Sequence, residues 1–290
     1  MKILPQNLQE SQSLQVIYSE VCNLWPEHQP FLATRFSSKD SPSINLAEDL
    51  ASVILKIIGD ELSEYIRSYR WMCHEFVDSE LHFRRTGAYQ RSTFQAAFED
   101  VYSNDSYMTR YLKGILLSQV LWKNQTESFR FYLERFLDRL SFNSSVLEIG
   151  PGHGLLMYFA LNHSNQLSVT GWDVSQSSIS MTRTNLNKLG AVGQIRLECV
   201  DILSVDSSEA NFDAVVISEV LEHLEDPVAA LRNIRHVVPE GGLVFINVPT
   251  NSPAPDHIYL WKSAEQVMEF VRAVGFRIVD SEAIPMTGYS

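Results

Sequence analysis

The sequence is poor in cysteine, in basic residues and in long apolar runs. Its 290 residues include three scattered cysteines and no CxxC pair, which excludes a disulfide framework and a zinc site built from thiolates. The longest apolar stretch, Gly114–Trp122, is interrupted by polar residues and is far shorter than the ~20 residues that a membrane-spanning helix needs. Met1–Glu10 lacks the apolar core of a signal peptide. We therefore predict a cytoplasmic protein.

Basic side chains are scarcest in the second half of the chain. The whole sequence contains 23 Lys and Arg against 35 Asp and Glu, a net charge of −12. Residues 141–290 carry 8 of the basic and 17 of the acidic side chains. Proteins bind phosphate backbones and anionic membranes through Lys and Arg, so neither a nucleic acid nor a membrane is an expected partner.

Two sequence patterns meet near residue 140. Before it, as in Leu46–Ile58, apolar residues recur at three- and four-residue steps, which predicts a helical cap or substrate-binding region over residues 1–140. Over residues 141–290, short β-branched runs alternate with helical stretches, which predicts an α/β fold with a doubly wound, mostly parallel sheet. The predicted strands are Val146–Ile149, Ser168–Asp173, Arg196–Asp201, Phe212–Ser218, Leu243–Val248 and Phe276–Val279.

The strongest chemical signal is a glycine-rich turn that follows the first predicted strand, in the sequence V-L-E-I-G-P-G-H-G at Val146–Gly154. Glycines let the backbone approach a ligand closely, but Glu148 would repel a pyrophosphate and would favour a cationic ligand. At the end of the second predicted strand, Asp173 can accept the ribose hydroxyls of a nucleoside. Asp201 ends the third predicted strand, where its carboxylate can accept a hydrogen bond from the amino group of an adenine while Ile202 packs on the adenine ring. The predicted ligand is a nucleoside with a positive centre and no phosphate.

Together with the stretch S-E-V-L-E-H-L-E-D-P at Ser218–Pro227, these motifs make Phe142–Ile284 resemble the class I S-adenosylmethionine-dependent methyltransferases of the small-molecule type. The resemblance implies a Rossmann-like fold and S-adenosyl-L-methionine as cofactor. The cofactor-binding residues that it implies are Glu148, Gly150, Gly152, His153, Gly154, Asp173, Val174, Asp201, Ile202 and Glu219.

The end of the sequence departs from this family, whose sheets usually close with an antiparallel seventh strand. Only seven residues follow Ala283, so we expect that final strand to be missing. An open sheet edge can pair with a strand of another chain, so a second copy of this chain, bound through that edge in a homo-oligomer, is an expected partner.

Two histidines are the predicted catalytic residues, because a hydroxyl acceptor gains from a general base with a pKa near 7. His223 follows the fourth predicted strand, and His257 follows the fifth, with Asp256 placed to orient its ring. The alternative for each is a structural hydrogen bond to the backbone. No histidine pair has the spacing of a metal site, and none is predicted.

An aromatic cluster before the sheet is the predicted wall of the acceptor pocket. It consists of Tyr102, Tyr107, Met108 and Tyr111. Ordinary packing between helices is the alternative. The predicted function is a methyltransferase for a small organic acceptor, with O-methylation favoured, as in natural-product metabolism. Three alternatives stay open: a peptide or protein methyltransferase, a non-catalytic cofactor-binding module, and a nicotinamide-dependent dehydrogenase, which Glu148 does not fit.

Overall fold

The computed structural model describes residues 5–37, 41–91, 93, 105–163, 166–191, 193–205 and 211–286. The chain divides into two compact units that interleave along the sequence. The first comprises Met1–Cys73, Thr109–Leu133 and Ala283–Ser290, and the second comprises His74–Met108 and Glu134–Glu282. The boundary expected near residue 140 marks the start of the sheet, but residues 74–108 also group with the sheet and not with the other helices.

The first unit is helical, as the periodicity predicts. Its core forms where α1 packs on α3 through buried residues such as Leu14, Ile17 and Leu50. The Glu48 carboxylate accepts the backbone N–H groups of Ser13 and Leu14, both at 2.9 Å, and so satisfies donors at the start of α1. The helices are α1 (Gln12–Leu24), α2 (Gln29–Arg35), α3 (Ser41–Ile58), the first part of α4 (Leu62–Thr86), most of α5 (Asp105–Leu121), and α6 (Lys123–Phe131).

The second unit holds a five-stranded parallel sheet with the order β3-β2-β1-β4-β5. The order reverses between β1 and β4, which confirms the doubly wound fold and puts the switch point beside β1. The strands are β1 (Ser145–Ile149), β2 (Ser168–Asp173), β3 (Ile195–Cys199), β4 (Ala214–Ser218) and β5 (Leu243–Asn247). The helices that accompany them are α7 (Leu155–Leu161), α8 (Gln176–Lys188), α9 (Pro227–Val237) and α10 (Ala264–Ala273).

The sixth predicted strand, Phe276–Val279, is wrong: among the residues described up to 286, no strand follows β5. Phe276 and Ile278 instead pack their side chains against the core of the second unit, and Asp280 binds Arg139 at 2.9 Å. The apolar residues of this segment indicated that one of its faces is buried. A segment can bury one face without pairing its backbone with another strand. Within the described ranges, no helix is both long and apolar enough to cross a membrane.

Candidate functional site

The glycine-rich turn connects β1 to α7 at the switch point of the sheet. Gly150, Gly152 and Gly154 have φ values of 70°, 51° and 78°, in the left-handed region that favours glycine. At Gly150 a Cβ atom would also lie 2.5 Å from the Cγ2 of Val220, so a side chain is excluded there by space as well as by conformation. The glycines thus fix the conformation of the turn, which packs against Val220 at Gly150.

Two buried polar residues of α8 hold the turn in place. Thr182 donates its hydroxyl to the carbonyl of Gly152 at 2.8 Å, and Asn185 donates its side-chain amide to the carbonyl of His153 at 3.1 Å. Neither residue was predicted from the sequence. The only signal was their polarity on the inward face of a helix, where apolar residues are the norm.

Glu148 is the most deeply buried acid of the turn, with 3% of its surface exposed. Its Oε2 has no hydrogen-bond partner, and burial raises the pKa of the carboxyl to about 8. The backbone N–H of Met157 bonds the carboxyl group, but the unpartnered Oε2 makes the charged form costly, and a cationic ligand would compensate that cost. This chemistry fits the amino and sulfonium charges of S-adenosylmethionine.

Asp173 ends β2 beside the turn. Burial raises the pKa of its carboxyl to about 6, and Oδ1 accepts the backbone N–H of Ser175 at 2.8 Å. After β3, the Oδ1 of Asp201 accepts the N–H of Leu203 at 2.9 Å and its Oδ2 accepts the hydroxyl of Ser204 at 3.2 Å. Both carboxylates are thus pinned in orientation at the carboxyl ends of neighbouring strands.

Three more predicted cofactor residues differ in their environment. Val174 is 39% exposed beyond β2, whereas Ile202 is 4% exposed and packs in the core of the second unit. His153 accepts the N–H of Leu155 through Nδ1 at 3.2 Å, and burial lowers its pKa to about 4. His153 is therefore neutral at pH 7 and is a hydrogen-bonding residue, not a general base.

The ends of β4 and β5 form the other side of the site. Glu219 follows β4 with a φ of 55°, a conformation that is strained for a residue with a side chain. Asn247 at the end of β5 donates to Glu219 Oε1 at 3.0 Å and, through its carbonyl, accepts the N–H of Glu219 at 2.9 Å. The pKa of Glu219 is raised to about 7, mainly by burial and in part by the charge of Asp256, while the hydrogen bond from Asn247 acts in the opposite direction.

Glu222 is fully buried behind Glu219, and neither of its carboxyl oxygens has a hydrogen-bond partner. Burial raises the pKa of Glu222 well above its ordinary value, and the charges of Glu219 and Asp256 act in the same direction. Its backbone carbonyl accepts the N–H groups of Ile258 and Tyr259 at 2.8 and 2.9 Å. These bonds hold the loop that follows β5 against the segment that follows β4.

The two predicted catalytic histidines meet here, with ring centroids 5.1 Å apart. The expected orientation of His257 by Asp256 is wrong: Nδ1 of His257 binds the carbonyl of Ser252 at 2.6 Å. Asp256 lies beside His223 instead, with its Oδ2 3.5 Å from Nδ1 and its carbonyl 3.1 Å from the same nitrogen. Burial lowers the pKa of His257 to about 4. The charge of Asp256 still acts on His257, but the hydrogen bond that orients the ring goes to a backbone carbonyl.

Residues 147–244 match the family model described as a methyltransferase domain. This segment runs from β1 into β5, so the sheet of the second unit is similar to a methyltransferase domain.

Known proteins similar to this chain include an O-methyltransferase of Pyrenophora dematioidea, 27% identical over 176 residues, and a ubiquinone biosynthesis O-methyltransferase of Idiomarina loihiensis, 29% identical over 165 residues. The matches cover 54% and 53% of this chain, which spans 66% of the length of each relative. The apo structure of the S-adenosylmethionine-dependent methyltransferase SibL aligns over 97% of both chains, with a TM-score of 0.55 and 15% identity. At that identity, the alignment supports the fold alone.

The structure describes three of the four residues of the predicted aromatic cluster, all on α5. Tyr102 lies outside the described residues; Tyr107 and Met108 lie in the second unit, and the buried Tyr111 lies in the first. Burial raises the pKa of Tyr107, and the carboxylates of Glu75 and Asp256 add to the effect, which shows that Tyr107 is close to the histidine side of the site.

Sequence reasoning missed two further residues on that side. The ring of Tyr89 lies edge-on to His257, 5.8 Å between centroids, and Arg91 donates to the carbonyl of Pro255. Both belong to the segment that follows α4, far from the motifs in sequence, and no local pattern marks them.

Proposed function

We propose that this protein transfers a methyl group from S-adenosylmethionine to an oxygen atom of a small organic acceptor. The observation that carries the proposal is the buried carboxyl group of Glu148, whose Oε2 has no hydrogen-bond partner, beside a glycine turn of positive φ. A phosphate-bearing cofactor would be repelled there, and a cationic one would be bound. The names of the two relatives, both O-methyltransferases, support oxygen as the acceptor atom.

The residues that would hold the cofactor lie along β1, β2 and β3. Glu148, Gly150 and Gly152 would face its methionine part, Asp173 its ribose and Asp201 its adenine. The bound cofactor supplies a methyl group that is already activated by a sulfonium centre. The protein then has to align the acceptor and exclude water, which the buried loop Pro253–His257 and its neighbours are placed to do.

The acceptor oxygen would lie on the histidine side of the site, where its proton must leave. His257 donates through Nδ1 to Ser252, so the lone pair of the neutral ring is on Nε2, 3.9 Å from Oε1 of Glu222. A neutral imidazole there can accept a hydrogen bond from a hydroxyl group. The three alternatives, a peptide or protein methyltransferase, a non-catalytic binding module and a dehydrogenase, have no comparable observation in their favour. A cytoplasmic location stays a prediction.

Ligand-induced stabilisation tests the proposal. S-adenosylmethionine and S-adenosylhomocysteine should each raise the melting temperature, and NAD should not, because only a ligand that binds the native state stabilises it. Release of S-adenosylhomocysteine in the presence of a panel of small hydroxylated molecules would then identify the acceptor class. Stabilisation by NAD without stabilisation by S-adenosylmethionine would overturn the proposal.

A further inference from the structure

Three metal-binding side chains converge on the histidine side of the site. Glu222, His223 and His257 each place one donor atom within 4.8 Å of the donor atoms of the other two. The Nε2 of His223 lies 3.6 Å from Oε1 of Glu222, and the Nε2 of His257 lies 3.9 Å from the same oxygen. Neither distance is a hydrogen bond.

The tautomers of the two imidazoles follow from their partners. Nδ1 of His257 faces the carbonyl of Ser252, and Nδ1 of His223 faces the carbonyl of Asp256. A carbonyl only accepts, so each Nδ1 carries the hydrogen and each Nε2 carries a lone pair. Metal-binding histidines characteristically use this arrangement, in which the second nitrogen donates to a carbonyl that orients the ring.

The carboxylate that the two lone pairs face has no other partner. Glu222 is fully buried, and neither oxygen accepts a hydrogen bond. When Glu222 is ionised, its carboxylate and the two imidazole lone pairs repel one another, and a cation bound among them removes that repulsion. Asp256, with 2% of its surface exposed, adds a further carboxylate next to His223.

The separations match the size of a metal coordination shell. Zinc binds imidazole nitrogen and carboxylate oxygen at roughly 2.0–2.2 Å, so neighbouring donors of a tetrahedral zinc lie about 3.3–3.6 Å apart. The two separations here, 3.6 and 3.9 Å, are close to that range. We propose that Glu222, His223 and His257 bind one divalent transition-metal cation of the zinc type. Two nitrogens and one oxygen favour such a metal over Mg²⁺ or Ca²⁺, which prefer all-oxygen shells.

Three protein ligands leave a tetrahedral metal with one open position. This second step rests on the proposed function: an acceptor hydroxyl at that position would lose its proton to solvent more easily. The oxygen then forms its bond to the methyl carbon as the sulfur–methyl bond breaks, and the electron pair of the broken bond remains on sulfur. The two histidines would serve as ligands and not as the proton acceptor.

Metal binding can be measured without any acceptor. The purified full-length protein is stripped with a chelator and titrated with Zn²⁺ in competition with a chromophoric chelator, with Mg²⁺ as a parallel arm. We expect one Zn²⁺ per chain, much tighter than Mg²⁺. His257→Ala and Glu222→Gln should each weaken Zn²⁺ binding by about 100-fold or more, since loss of an outer orienting partner alone costs about 10–100-fold. His236→Ala, which removes an exposed histidine of α9, is the matched control and should not change it.

Binding of S-adenosylhomocysteine by the same proteins separates this proposal from the proposed function and from misfolding. Variants that bind S-adenosylhomocysteine as the unchanged protein does, but have lost Zn²⁺, support the metal site. Cobalt(II) offers a second readout, because its visible absorption should appear in the unchanged protein and disappear in His257→Ala. Failure of the stripped protein to bind Zn²⁺ at micromolar concentration, or unchanged binding in both variants, would overturn the metal site even if the cofactor binds.

Discussion

The two sides of the site lie at the same edge of one sheet but are assembled differently. The cofactor side is made of residues at or just after β1, β2 and β3, each next to a recognisable motif in the sequence. The histidine side joins the segment after β4 to a loop after β5 and to Tyr89 and Arg91. The first side carries Glu148, whose Oε2 lacks a hydrogen-bond partner and would suit an organic cation, and the second combines carboxylates with imidazole lone pairs that would suit a metal ion. On the cofactor side, the residues that would select the ligand lie within local sequence motifs. On the histidine side, they come from segments that are distant in sequence.

The largest effect expected on the cofactor side is from Glu148→Gln. The folded carboxyl has its pKa raised to about 8 from 4.5, so the native state binds the proton more tightly than the unfolded chain does. The free energy of unfolding therefore falls as pH rises from about 4.5 to about 8, by an amount of order 5 kcal/mol at most. Denaturant unfolding should show the glutamine variant more stable than the unchanged protein at pH 8 and equal to it near pH 4.

The same variant should bind S-adenosylmethionine more weakly at pH 8, although it is more stable. Equal stability of the two proteins at pH 8 would show that the folded protein already stabilises the charge of Glu148. The cofactor side would then not carry a carboxylate that needs a cationic ligand.

Gly150→Ala tests whether the turn on this side is as constrained as its geometry indicates, with Gly190→Ala as the matched control. Both glycines have positive φ, 70° and 64°, so both variants carry strain of roughly 1–2 kcal/mol. Only Gly150 also places the new Cβ against Val220, which adds about 1–3 kcal/mol of overpacking. Urea unfolding should therefore show the larger loss for Gly150→Ala, and equal losses would mean that the turn can move away.

Asp173→Asn tests whether the cofactor side binds its ligand independently of the histidine side. Loss of charge-assisted hydrogen bonds to the ribose should weaken S-adenosylmethionine binding by roughly 10–100-fold in calorimetry. In the unchanged protein the affinity should fall as pH drops through about 6, where Asp173 becomes protonated, and this part of the dependence should vanish in the variant. Asp213→Asn, at the opposite end of the sheet where Asp213 binds Ser145, should leave the affinity unchanged.

If the sides are independent, Zn²⁺ affinity should be unaffected by Asp173→Asn. A loss of both ligands in either Asp173→Asn or His257→Ala would show that the two sides act as one network.

The smallest effect is expected from Thr182→Val, which keeps the shape of the side chain but removes its hydrogen bond to Gly152. We expect a loss of about 1 kcal/mol in stability and a modest weakening of cofactor binding. Thr184→Val, on the exposed face of the same helix, is the control for helix propensity. Equal effects of the two variants would show that α8 does not support the turn.

The strands and the turn could be predicted from the sequence because both depend on near neighbours. Runs such as V-L-E-I and A-V-V-I are buried strands of a parallel sheet, and positive φ explains each glycine of the turn. Phe276–Val279 shows the limit of that reasoning, since side-chain alternation carries no information on whether the backbone finds a neighbouring strand. The orientation of His257 shows another limit, because the hydrogen bond to Ser252 depends on how the loop folds.

The sequence by itself determined the fold class and predicted the acids of the cofactor side, because both follow from residues within single strand-turn-helix segments. Only the tertiary structure decided that Glu222 and His223 would meet His257, more than thirty residues further along the chain. The physical reason is that the carboxyl ends of parallel strands converge at one edge, so residues that follow different strands become neighbours. Which nitrogen of each imidazole faces the buried carboxylate is then decided by a single carbonyl in the adjoining loop.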